Sequence, residues 1–147
     1  MRPIKIETIP KNFLSWIFTM MLIFILSSCA RKISFQSSSV VPAARGDVKV
    51  KKDDKNNYHI QVSLANLAEV ERLQPPAKTY VVWMDTDQQA NKNIGKINSS
   101  TGFLSKRLKA SFETVSSVKP VKIFITAEQD AAIQYPGSQV VLTTGSF

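Results

Sequence analysis

Asp47–Leu64, DVKVKKDDKNNYHIQVSL, decides the fold. Val48 and Val50 share one face of its first half. Tyr58, Ile60, Val62 and Leu64 share one face of its second half, with His59, Gln61 and Ser63 opposite. Alternation with period two is the signature of a half-buried strand. The cluster KDDKNN at 52–57 supplies Asp and Asn residues that tolerate positive φ. Two alternating runs joined by such a cluster form a β-hairpin.

The same pattern extends in both directions. Ser34–Val41, SFQSSSVV, alternates until Pro42 stops it. Thr79–Met84, TYVVWM, is apolar on both faces and therefore reads as a central strand covered on both sides. Asn93–Ile97, Leu108–Thr114, Val121–Ala127 and Gln139–Thr144 complete the strands, with Leu108, Ala110 and Phe112 inward. Leu67–Leu73 reads as one helical turn or an irregular crossover ended by Pro75-Pro76. About eight strands without a long helical period predict an all-β fold, an Ig-like β-sandwich. A small closed β-barrel is the alternative, because both have the same periodicity.

The chain has 147 residues, enough for one domain and a short appendage. Residues 1–12 carry three basic side chains and one acid, and Phe13–Leu26, FLSWIFTMMLIFIL, is uncharged. As a helix this run would rise about 21 Å, short of the roughly 30 Å hydrocarbon core. A basic segment, a short apolar run and small residues after it read as a secretory signal. An uncleaved anchor would have to recruit Ser27, Ser28 and Ala30 and would run into Arg31 and Lys32.

Leu26-Ser27-Ser28-Cys29, which holds the single cysteine, resembles the lipobox of bacterial lipoproteins. The resemblance implies cleavage between Ser28 and Cys29 and a diacylglyceryl thioether on Cys29, with palmitate-type acylation of the new amine. One acyl chain holds a protein reversibly and two hold it stably. The expected organisation is a signal peptide at 1–28, a lipid-anchored tether at 29–33 and one sandwich domain at 34–147. The exported domain has no second cysteine for a disulfide, so its core alone must stabilise it. Ala30, Arg31 and Lys32 follow the cysteine with no acidic residue. By the same resemblance this implies the outer membrane, facing the periplasm.

A second resemblance covers roughly residues 78–145. Tyr80-Val81-Val82-Trp83, Asn93-Ile94-Gly95-Lys96-Ile97, Ile123-Phe124-Ile125-Thr126-Ala127-Glu128, Pro136-Gly137 and Val140-Val141-Leu142 look like the extracytoplasmic domain of anti-sigma-K factors. It implies a sandwich sensor or interaction domain outside the inner membrane. Sigma-factor inhibition is not carried over, because the sequence shows no cytosolic helical domain.

The formal charge is +8, falling to +6 without residues 1–28. Such an excess favours anionic surfaces, or simply keeps a domain monodisperse. The sequence has no Gly-rich phosphate loop, CxxC pair or repeat, and nucleic acid is not expected as a partner. Arg45-Gly46-Asp47 spells an integrin-binding tripeptide but reads as a tight turn before a strand. Asp85 and Asp87, and likewise Glu128 and Asp130, lack the spaced ligands of a calcium loop and read as Asx-type turn caps. His59, the only histidine, reads as a solvent-facing strand residue with no metal partner. Trp83 and Tyr80 read as core anchors, and Lys106-Arg107-Lys109 as a solvated run.

No catalytic group, metal site or cofactor is therefore expected, beyond the covalent lipid on Cys29. The expected role is non-enzymatic: a membrane-anchored lipoprotein binding a protein or glycan partner through the Asp85–Lys92 and Glu128–Ser138 loops at one end. The alternatives are a surface-displayed adhesin and a metal-dependent hydrolase using His59 with Asp85 or Asp87.

Overall fold

The computed structural model describes residues 30–97 and 109–147. The signal segment, Ser28, Cys29, Lys106, Arg107 and Leu108 lie outside the described residues. Eight strands are described: β1 (Arg31–Ser34), β2 (Arg45–Lys52), β3 (Tyr58–Ala65), β4 (Thr79–Thr86), β5 (Lys92–Ile97), β6 (Lys109–Ser116), β7 (Pro120–Glu128) and β8 (Val140–Thr143). They form two four-stranded antiparallel sheets, ordered β1-β2-β3-β6 and β5-β4-β7-β8. The chain crosses between them three times, at β3–β4, β5–β6 and β6–β7, as in an Ig-like sandwich. An isolated bridge, Phe35 to Thr144, links the sheets along one side without closing a barrel.

The deciding hairpin folds as its alternation requires. Val48, Ile60, Val62 and Leu64 are buried against Tyr80, Val82, Met84, Ile123, Ile125 and Leu142 of the facing sheet. Its turn is built by Asp53. One Asp53 carboxylate oxygen accepts the N–H groups of Lys55 and Asn57, both at 2.8 Å, while Asn56 takes φ 64°. The Asn57 N–H above all, and more weakly the His59 and Lys55 contacts, hold the Asp53 carboxyl below its ordinary 3.8. A depressed carboxyl stabilises the fold above its unfolded value and loses that contribution as pH falls through the lower folded value. Asp53→Ala should therefore melt at a lower temperature than the parent at neutral pH. Thermal melts should show the gap narrowing only below about pH 4.

Two local expectations are corrected and a third is met. The first strand is Arg31–Ser34, not Ser34–Val41, and it begins inside the stretch read as tether. The Ser38 hydroxyl accepts the Val41 N–H at 2.9 Å, so this run folds into local turns rather than extending a ladder. Arg45-Gly46-Asp47 is not a turn but the start of β2, paired with Ala65, Leu64 and Ser63. A Cβ on Gly46 would stand 2.5 Å from the Ser63 carbonyl oxygen, so close strand approach, not a bend, requires glycine there. The helical turn expected within Leu67–Leu73 is a short 3-10 segment, Val70–Arg72.

Candidate functional site

β4 positions the site because both of its faces are used. Tyr80, Val82 and Met84 point between the sheets, whereas Val81 and Trp83 form a second cluster with Phe124 on the outer face. Trp83 and Phe124 stack with centroids 6.2 Å apart and planes 13° apart. The indole N–H donates to the Thr126 hydroxyl at 2.7 Å. Both expected anchors are fully buried, Tyr80 in the inter-sheet core and Trp83 outside it.

The cover over Trp83 is the β7–β8 loop. Its Ile133 packs on the cluster, and its backbone is fastened by Asn93. The Asn93 amide donates to the carbonyls of Ala131 at 3.0 Å and Ile133 at 2.9 Å. A β-bulge makes this possible. Val82 pairs with Gly95 but Trp83 with Asn93, so Ile94 is the extra residue and Asn93 emerges beside the tryptophan. At the loop's other end the buried Glu128 carboxylate accepts the Gly137 N–H at 2.8 Å.

Between this roof and the β4–β5 turn lies a cleft of about 510 Å³, lined by Gln89, Asn91, Lys92, Gln134 and Tyr135. The two loops expected to meet a partner thus do converge. They start from opposite ends of their sheet and meet on its outer face, which corrects the expectation of one end. Other clefts of similar size lie over Tyr80, over Gly46 and over His59. The roof cleft is distinguished by Tyr135, a ring 79% exposed beside amides that can both donate and accept. Tyr135 was not singled out in the sequence; the adjacent Pro136-Gly137 turn was the available signal.

The remaining candidates serve the scaffold. Asp85 Oδ1 accepts the Asn91 N–H at 2.7 Å, and the Thr86 hydroxyl accepts those of Gln88 and Gln89. Asp130 caps Ala132 in the same way. Asp87 and Lys109 are exposed. His59 is exposed on β3, with its Nε2 at 3.1 Å from Asp53 Oδ2 of its own hairpin. Asp85 and Asp87 belong to the other sheet and its turn, so the pairing expected of a hydrolase is not formed. Among the described residues no three His, Cys, Asp or Glu side chains gather as metal ligands. Nor is any described helix long and apolar enough to cross a membrane.

No family model matches the chain, and neither a curated protein nor a solved structure does.

Proposed function

We propose that this chain is a lipid-anchored envelope lipoprotein whose β-sandwich offers the Gln89–Tyr135 cleft to a protein or glycan partner. The observation that carries the proposal is Leu26-Ser27-Ser28-Cys29 at the end of a 14-residue uncharged run. The thioether on Cys29 supplies attachment, and cleavage after Ser28 removes the only long apolar segment. The fold is compatible with such processing, since β1 begins at Arg31 and every described strand follows the cut. The absence of an acidic residue after the cysteine supports an outer-membrane position facing the periplasm. The anti-sigma-like stretch contributes the idea of an interaction or sensor domain, without sigma binding.

Growth with labelled palmitate tests the anchor. The parent is expected to incorporate label and to show an intact mass beginning at an acylated Cys29. Cys29→Ala should lose essentially all incorporation and remain at the unprocessed mass. An alanine variant labelled as strongly as the parent would refute the anchor.

A further inference from the structure

The register of β1 has a consequence for how the domain meets a membrane. Arg31 pairs with Val50, so Ala30 stands beside Lys51 and the chain leaves the sandwich at the end formed by the β2–β3, β4–β5 and β6–β7 turns. One residue separates Arg31 from Cys29, and a residue spans at most about 3.6 Å. A lipid on Cys29 would therefore hold this end within a few ångströms of the head groups.

The rim around that exit is cationic. Arg31, Lys51, Lys52, Lys55 and Lys119 are all exposed there. Against them stand Asp53, whose carboxylate is turned onto the N–H groups of its own turn, and Asp54. Asp85 and Asp87, at the end of β4 and in the β4–β5 turn, stand at the same end by the Thr86–Pro120 pairing; Asp85 is itself turned onto the Asn91 N–H. Two of the cations also lie over rings at the same end. The Arg31 guanidinium is 5.7 Å from the Phe147 ring centroid, and the Lys52 ammonium is 5.7 Å from that of Tyr58. A cation on a flexible stem beside an amphipathic ring, as Lys52 is beside Tyr58, suits the boundary between head groups and water.

We infer that this end of the sandwich docks on an anionic phospholipid surface, so that the strands stand away from the bilayer. The roof cleft, on the outer face of the β5-β4-β7-β8 sheet, then has its β4–β5 wall toward the membrane. The inference rests on the lipoprotein reading, and adds a specific face and lipid charge to it.

The test uses full-length acylated protein in bilayers of phosphatidylcholine with phosphatidylglycerol. A spin label is placed at Lys55→Cys in the exit-end turn or at Arg72→Cys at the opposite end, and a nickel chelate is carried on the lipid head groups. Relaxation by nickel is expected to be at least about threefold stronger at position 55 than at 72. Combining Lys51→Glu, Lys52→Glu and Lys119→Glu should bring the two positions together, and the corresponding glutamine variants should fall between. Far-ultraviolet circular dichroism checks that each variant is folded. Equal relaxation at both positions in the parent, or a difference untouched by charge reversal, overturns the docking face while leaving the anchor intact. An intact mass with a free Cys29 thiol overturns the lipoprotein reading and this inference together.

Discussion

Trp83→Ala is expected to lower the unfolding free energy by about 3–5 kcal/mol, the range for deleting a large buried aromatic. The indole is fully buried, stacked on Phe124 and bonded to the Thr126 hydroxyl, so the substitution removes packing and a donor together. A domain of this size has about 5–15 kcal/mol in total, so the loss is a large share of it. The inter-sheet core does not include Trp83, and the second sheet should persist under native conditions. The roof should not. Ile133 would face a cavity, leaving the Asn93 and Glu128 contacts to hold the loop. Urea unfolding should give the loss in stability, and limited proteolysis should cut within residues 129–138 of the variant well before the parent. Trp83→Phe keeps a ring against Phe124 and should recover much of the difference. A loss under about 1 kcal/mol, typical of surface changes, would mean that the outer-face cluster contributes little.

The roof marks where the sequence stops being informative. β4 reads correctly as covered on both sides, because Val81 and Trp83 are as apolar as Tyr80, Val82 and Met84. What covers its outer face does not follow. The segment Gln129–Gln139 has no period, and its single large aliphatic residue, Ile133, does not announce a contact with a particular strand. The bulge at Ile94 is equally silent, since one extra residue looks the same in a regular strand as in an irregular one. Without it Asn93 would not stand beside Trp83, and the loop would lose its two amide bonds.

The hairpin was legible for the opposite reason. Its alternation, its Asp–Asn turn and its burial all require the same register, and Asn56 adopts the positive φ that the turn demands. Ser34–Val41 has only Phe35 and the adjacent Val40 and Val41 as apolar residues and contains three consecutive serines, whose hydroxyls compete for backbone N–H groups; Ser38 wins that competition at Val41. For the candidate site, the two loops were legible in the sequence, but not that they start from opposite ends of their sheet and meet on its outer face. The partner of His59 could have been found. Asp53 and His59 flank one tight turn, whereas Asp85 and Asp87 are separated from His59 by a crossover between sheets.

Tyr80→Ala should be the other large loss, again about 3–5 kcal/mol, but through the opposite face of the same strand. Tyr80 is fully buried between the sheets, and its hydroxyl donates to the Ala68 carbonyl at 2.9 Å. Ala68 belongs to the crossover whose Leu67, Val70, Leu73 and Ala77 complete the core, so the phenol ties this connection to β4. Tyr80→Phe separates the two contributions. It keeps the ring and removes the donor, and should cost only about 0.5–1.5 kcal/mol. The same burial, helped by the nearby Glu71 charge, pushes the phenol up from 10.0 to about 12. A raised phenol favours the neutral form in the fold, so its contribution is complete below pH 10 and is lost as pH rises towards 12. Ultraviolet titration of the parent should show one tyrosine ionising late, and Tyr80→Phe should lack that component. In equilibrium unfolding the parent's advantage over Tyr80→Phe should shrink across the same interval. If both variants cost the same, the hydrogen bond to Ala68 rather than the ring would carry the residue's contribution, and the packing account of this strand would be wrong.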